Sequence, residues 1–194
     1  MKNVHEPTYS FVILTFLLIL IDTLLAWGCS KFLAVPAGTV SWLFIAVAFM
    51  ILFTLWFGAY GAIAAYIGTL VGSGLLASDV LASNPGIAVL WAVAGLLQAL
   101  IPLVAVRSFG VDLALGNRRD WTILILFGVV INNAVGAAWA TWSLSLATAV
   151  NMSSVFSTWL ISNVVVTIII VPIALRLFTP KIQKSKLFVR NYWD

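Results

Sequence analysis

The sequence predicts an all-α integral membrane protein, built as a bundle of about six transmembrane helices. Three observations lead to this prediction. Hydrophobic residues make up 63% of the 194 residues, charged residues only 8%, and the mean hydropathy is +1.13. Apolar runs of about twenty residues, the length that crosses the hydrocarbon core, recur along the chain. Lysine and arginine lie before, between or at the ends of these runs, and none interrupts the middle of one.

Six apolar runs are the predicted membrane-spanning helices of a single transmembrane domain that covers residues 1–194. They lie at residues 9–28, 39–57, 59–78, 86–106, 121–149 and 154–178. The fifth run is longer than a membrane requires, so we expect it to tilt or to end before Asn151. Glu6 precedes the first run and no clean cleavage site follows it, so we expect a retained helix and not a signal peptide.

The positions of the basic residues predict the orientation. If six helices alternate, one side of the membrane receives nine of the ten basic residues and the other receives only Lys31. The nine are Lys2, Arg107, Arg118, Arg119, Arg176, Lys181, Lys184, Lys186 and Arg190. Positive charge accumulates on the cytoplasmic side, so we expect both termini, the 107–120 loop and the basic tail 179–194 there.

These features predict a multi-pass protein of the cell membrane whose surroundings are lipid. The net charge of +4 arises from residues at membrane edges, so we expect no nucleic-acid partner. The basic tail is expected to act as an orientation signal, and docking to anionic lipid or to a cytosolic partner is the alternative.

Cysteine and histidine are too scarce for common cofactor chemistry. Cys29 is the only cysteine and His5 the only histidine, so we expect no haem, iron–sulfur cluster, zinc or other metal site, and no cofactor. The sequence has no Ser/His/Asp set, paired carboxylates, phosphate-binding glycine loop or HExxH run, so we expect no catalytic residues and no enzymatic activity.

Small residues recur along the third run. The candidate packing residues are Gly61, Ala64, Gly68 and Gly72, the last three of which are four residues apart. Small residues at this spacing let two helix backbones approach closely. We expect this surface to pack inside the bundle, and contact with a partner subunit is the alternative.

Amide and tryptophan side chains follow helical spacing on the last three runs. The candidate ligand-binding residues among them are Trp91, Gln98, Asn132, Asn133, Trp139, Trp142, Ser143, Trp159 and Asn163. Amides supply hydrogen-bond donors and acceptors, and tryptophan supplies flat area, so we expect a pocket for a small uncharged or weakly charged ligand that opens to the outside. The alternatives are hydrogen bonds that join the helices and a belt of tryptophan at the membrane interface.

Asp22 is the one carboxylate within an apolar run, about two turns from the outer end of the first helix. It is a further candidate, as an ion ligand, a proton carrier or a contact to a substrate amine. The alternative is an acid that reaches interfacial water or pairs with Lys31.

The run from Phe57 to Gly68, followed by Gly72 and an outer loop at Asn84-Pro85-Gly86, resembles the S components of energy-coupling-factor transporters. The resemblance implies a six-helix membrane subunit that binds a vitamin or similar micronutrient and works with a coupling subunit and ATPases. That family typically contacts the coupling subunit through an alanine-x-x-x-alanine pair on its first helix. The first helix here lacks the pair, so either other small residues, such as those of the third helix, make this contact, or the resemblance is only architectural.

A second, weaker resemblance is to the membrane-embedded sensor domains of bacteria and archaea. It rests on Val35-Pro36-Ala37-Gly38, and on Trp159 leading to Val171-Pro172. Those sensors usually have more helices and a fused output domain. The main expectation is therefore a substrate-binding subunit for uptake of a small organic micronutrient. The alternatives are a sensor or structural subunit of a larger complex, and a standalone carrier in which Asp22 binds an ion.

Overall fold

The structure is a computed structural model that describes residues 9–34 and 41–193. Within these residues the chain is helical and forms no β-strand, and a single isolated bridge joins Ala34 to Ser41. Lys2, His5 and the stretch 35–38 lie outside the described residues, as does the last residue of the predicted tail.

The helices follow one another closely along the described chain. In order they are α1 (Tyr9–Phe32), α2 (Ala46–Phe57), α3 (Ala59–Gly68), α4 (Asp79–Ala82), α5 (Pro85–Phe109), α6 (Arg118–Ile125), α7 (Asn132–Ser145) and α8 (Met152–Ile182). A π-helical segment, Thr69–Leu75, continues α3, and a second one, Leu126–Ile131, joins α6 to α7 without a break.

Four of these helices are long and apolar enough to cross a membrane: α1, α5, the continuous helix Arg118–Ser145, and α8. Two shorter apolar helices, Ala46–Phe57 and Ala59–Leu75, account for the second and third predicted runs. The prediction of a helical membrane protein is therefore confirmed, whereas the count of six crossings stays a prediction.

Helix α2 forms the centre of the bundle. It is apolar throughout, ten of its twelve side chains are buried, and it packs against α1, α3, α5 and α8. The predicted run began at residue 39, but the helix begins at Ala46. The preceding residues are also apolar, yet they do not continue the helix, and the Trp42 N–H donates to the carbonyl oxygen of Leu33 instead. Hydropathy cannot distinguish such an apolar loop from a helix.

A single residue separates α2 from α3. Gly58 has φ +62°, in the region that favours glycine, and its N–H donates to the carbonyl oxygen of Thr54 at 2.9 Å. The two helices therefore form a tight hairpin at one end of the bundle.

The C-terminal tail folds back onto this hairpin. The Val189 N–H donates to the carbonyl oxygen of Trp56 at 3.0 Å, and the Ala59 N–H donates to that of Tyr192 at 2.8 Å. These bonds partner backbone groups that lie where α2 ends and α3 begins. The tail was predicted to begin at residue 179, but α8 continues to Ile182 before the chain turns back.

Arg107, at the end of α5, ties the same elements together. Its guanidinium donates to the carbonyl oxygens of Leu55 at 3.1 Å, Val189 at 2.7 Å and Asn191 at 2.9 Å. This basic side chain therefore joins α5, α2 and the tail.

Two glycines of α3 and its π segment, Gly68 and Gly72, lie against α1. A Cβ added at Gly68 would lie 2.5 Å from Oδ2 of Asp22, and one added at Gly72 would overlap the carbonyl oxygen of Thr23. The two backbones can approach this closely only because side chains are missing there.

The other two candidate packing residues also lie inside the chain. A Cβ added at Gly61 would overlap the backbone of Phe53 on α2. Ala64 is fully buried in a cluster with Leu18 of α1 and Phe53. The small-residue surface of α3 is thus occupied by helices of the same chain.

Candidate functional site

A cleft opens at the end of the bundle where α1 and α7 end and where α5 and α8 begin. We call it the serine–tryptophan cleft, and it is lined by Ser30, Ser41, Phe44, Ser73, Ala77, Ser78, Leu81, Trp91, Leu144, Trp159 and Asn163. The space between atoms is about 550 Å³ when the open mouth is included, and the enclosed part that admits water-sized molecules is about 40 Å³. The second value is the one that compares with ligand cavities. It corresponds to a few water molecules, so a small molecule fits only if the walls part.

Aromatic rings form one wall of the cleft. The rings of Trp91 and Trp159 meet edge to face, with centroids 5.5 Å apart and planes at 79°. The ring of Phe44 lies 6.4 Å from that of Trp159. All three side chains are at least nine-tenths buried, so the wall offers a desolvated aromatic surface.

Serine hydroxyls form the opposite wall. Ser30 donates to Oγ of Ser73 at 2.9 Å, which in turn donates to the carbonyl oxygen of Ala26 at 3.3 Å. Ser41 donates to the carbonyl oxygen of Cys29 at 3.1 Å. Ser73 lies in the first π-helical segment, and such segments often occur at functional sites.

Several polar groups of the cleft have no hydrogen-bond partner among the described residues. They are the indole nitrogens of Trp91 and Trp159 and the side-chain nitrogen of Asn163, all fully buried. A buried polar group without a partner costs about 1–3 kcal/mol. These three groups belong to residues that line one cleft, and a ligand that reached them with acceptors would remove this cost. Buried atoms without a partner among the described residues also occur outside the cleft, on Asp22, Asn132, Thr141 and Ser162.

A second group of polar residues lies about two turns deeper in the bundle, and we call it the amide network. Gln98 Nε2 donates to Oδ1 of Asn133 at 2.8 Å, and Asn133 Nδ2 donates to Oγ1 of Thr167 at 2.9 Å. The Thr167 hydroxyl donates to the carbonyl oxygen of Asn163, and Asn132 Nδ2 donates to the carbonyl oxygen of Gln98. These bonds join α5, α7 and α8.

The candidate ligand-binding residues therefore divide between two places. Of the ten, the structure brings Trp91, Trp159 and Asn163 to the cleft. Gln98, Asn132 and Asn133 are fully or almost fully buried in the amide network, where they bond to other helices.

Three further candidates on α7 lie in neither place. The Trp139 indole donates to the carbonyl oxygen of Leu90 at 2.8 Å, which joins α7 to α5. Trp142 is 45% exposed and packs edge to face with Trp139. The Ser143 hydroxyl donates to carbonyl oxygens of its own helix.

Asp22 lies at the interface of α1 and α3, against Gly68 and away from the cleft lining. Its side chain is fully buried, and neither carboxylate oxygen has a hydrogen-bond partner among the described residues. It lies nine residues before Lys31 on the same helix, which is about 13 Å, too far for an ion pair.

Sequence reasoning missed the serine wall. Ser30, Ser41, Ser73 and Ser78 lie at or between the ends of α1, α2, α3 and α4, where a serine is ordinary. A signal existed in the high serine content of these ends, but only the packing of α1 against the π segment shows that they meet.

The opposite end of the bundle is basic and more open. A hollow of about 380 Å³ is lined by Arg107, Val111, Asp112, Leu113, Gln183, Phe188 and Arg190. Trp91 and Arg107 lie on the same helix, sixteen residues and about 24 Å apart, so the cleft and this hollow face opposite ways. Of the nine lysines and arginines among the described residues, only Lys31 belongs to the cleft end.

The fold and the cleft define a helical membrane protein with a narrow, uncharged cleft at one end of the bundle. Comparison with known proteins returns no match, whether with family models, curated proteins or solved structures. We therefore base its function on the geometry of the described residues.

Proposed function

We propose that this chain is a membrane-embedded, substrate-binding subunit for the uptake of a small organic micronutrient. The observation that carries the proposal is the serine–tryptophan cleft, whose aromatic wall includes buried polar groups that have no partner among the described residues. Such a lining combines apolar surface with a few polar groups that fix orientation, as small-molecule sites do.

The proposed topology has six crossings, with both termini in the cytoplasm. Helix α3 with its π segment has 17 residues, about 25 Å in length, and α2 is about 18 Å long with an apolar loop before it. The basic end would then face the cytoplasm and the cleft would face the outside. This orientation suits uptake, since the ligand is captured from outside.

Partner subunits are part of the proposal. Between the cleft and the basic end the bundle is filled by the amide network and by the apolar side chains of α2. A ligand cannot pass this packing without a large rearrangement, which requires work. We propose that a coupling subunit and ATPases supply it, as the resemblance to S components implies.

The alternative of a sensor or structural subunit relied on the small-residue surface of α3 as a docking site. That surface is occupied by α1 and α2 of the same chain. A partner protein would therefore have to dock on another surface, on this alternative and on the main proposal alike.

The proposal is tested by purifying the protein in mild detergent and measuring thermal stability and tryptophan fluorescence across a panel of vitamins. We expect one panel member to raise the unfolding temperature and change the fluorescence. Trp159→Phe should weaken both responses at a fixed ligand concentration, and Trp142→Phe, which alters an indole outside the cleft, should retain them. A purified wild-type protein that responds to no panel member, and carries no small molecule in a mass spectrum, would refute the proposal.

A further inference from the structure

We infer that the serine–tryptophan cleft selects an uncharged planar heterocycle with two different edges. One edge, facing α5 and α8, carries hydrogen-bond acceptors such as a carbonyl oxygen or a ring nitrogen. The other edge, facing α1, carries an N–H or O–H donor. A ring lactam is the simplest group with both. This inference rests on the proposed function, because it names the ligand class of the same cleft.

The absence of charge follows from the lining. None of the described residues that line the cleft is ionisable, and residues 35–40 of the sequence include no charged side chain. Lys31 and Asp79, next to lining serines, are exposed. Burying a charged ligand without a counter-charge costs far more than burying a neutral one, so the cleft disfavours ions of either sign.

The wall formed by α5 and α8 carries hydrogen-bond donors. The indole nitrogens of Trp91 and Trp159 can only donate, and both are buried without a partner. The side-chain nitrogen of Asn163, one turn beyond Trp159 on α8, is in the same state. A ligand bound against this wall must therefore present acceptors.

The wall on the side of α1 presents hydrogen-bond acceptors. The hydroxyl protons of Ser30 and Ser41 are already donated, to Ser73 and to the carbonyl oxygen of Cys29. Each of these two oxygens keeps lone pairs, so it can accept a further hydrogen bond, whereas donating to a ligand would require it to give up its present bond. A ligand edge that carries donors therefore fits this wall without breaking an existing hydrogen bond.

The planar shape follows from the aromatic rings and from the narrowness of the cleft. With only about 40 Å³ enclosed, a ring enters only if the walls part, and a flat ring needs the smallest separation. It can then stack against Trp91, Trp159 or Phe44 at favourable centroid distances.

A series of bicyclic probes of nearly equal size and shape tests the inference. 2-Quinolinone carries both an acceptor and a donor, quinoline only an acceptor, indole only a donor, and naphthalene neither. N-Methylquinolinium and quinoline-4-carboxylate add a positive and a negative charge. Binding of each probe to the detergent-purified protein is measured by equilibrium dialysis, with empty micelles subtracted.

We expect 2-quinolinone to bind about five- to tenfold more tightly than quinoline or indole, and each of these to exceed naphthalene by a similar factor. The charged probes should bind more weakly than naphthalene. Trp159→Phe should reduce the advantage of quinoline over naphthalene, since two of the three unpartnered donors remain, and leave that of indole. Ser30→Ala should reduce the advantage of indole over naphthalene and leave that of quinoline. Trp142→Phe should change neither advantage.

Other outcomes separate the two proposals. If a charged probe binds most tightly and Trp159→Phe weakens it, the ligand class is wrong and the binding function stands. If the four neutral probes bind equally in the cleft, the assignment of donors to one wall and acceptors to the other is wrong, and the binding function still stands. If no probe and no vitamin binds the folded wild-type protein, the proposed function falls and the inference falls with it.

Discussion

The amide network and the serine–tryptophan cleft share α5, α7 and α8, yet their polar groups differ in one respect. In the network, the side chains of Gln98, Asn133 and Thr167 all bond to a neighbouring helix, and among its four amide and hydroxyl side chains only Asn132 keeps a buried atom, Oδ1, without a described partner. In the cleft, the indoles of Trp91 and Trp159 bond to nothing described. Since a membrane offers no water to satisfy buried groups, the first arrangement stabilises the fold and the second leaves groups available for a ligand.

Breaking the network should have the largest effect on stability. Asn133→Leu keeps the side-chain size but leaves the Gln98 amide without its acceptor and the Thr167 oxygen without its donor. We expect a loss of about 2–3 kcal/mol, measured by unfolding in mixed detergents. Adding Gln98→Leu should recover part of this loss, because it removes the Gln98 amide that has lost its hydrogen-bond partner. If Asn133→Leu alone is neutral, the network does not hold the helices together.

Widening the contact between α1 and the π segment that carries Ser73 should have the next largest effect. Gly72→Ala places a methyl group on the backbone of α1 and moves Ser30 away from Ser73. We expect a loss of about 1–3 kcal/mol together with weaker ligand binding. Gly28→Ala is the matched control, since nothing lies within 4 Å of that position. Unchanged binding in a destabilised Gly72→Ala protein would show that α1 is not a wall of the site.

Removing the cleft indoles should separate stability from binding. Trp91→Phe and Trp159→Phe each delete an unpartnered N–H and some ring area, which act in opposite directions on stability. We expect the free protein to change by less than about 1 kcal/mol, while ligand affinity falls about tenfold or more. Trp139→Phe is the contrasting variant, because its indole N–H has a partner on Leu90 and its loss should destabilise the fold. Thermal unfolding with and without ligand measures both quantities.

Replacing Asp22 should have the smallest effect on binding. Its side chain is outside the cleft lining, so Asp22→Asn should leave ligand affinity unchanged within about twofold, which titration of the purified variant measures. A loss of binding in a folded Asp22→Asn protein would instead favour a carrier in which this acid binds an ion.

The helices of the bundle were largely predictable from the sequence, because hydropathy and length decide which segments enter lipid. The start of α2 was not, since the apolar residues before Ala46 satisfy the same criterion without being helical. Which polar residues join the amide network and which line the cleft was also not predictable. Asn163 and Gln98 both lie one or two helical turns from a tryptophan, yet only the packing of neighbouring helices decides which side chain meets a partner and which meets the cleft.

The most direct test is an experimental density map of the protein purified from its native membrane. We predict a planar density in the serine–tryptophan cleft, with one edge within hydrogen-bond distance of Nε1 of Trp91 or Trp159. A cleft that instead holds a lipid acyl chain, or that the side chains of Trp91 and Trp159 close in every state, would contradict the assignment of this cleft as the binding site.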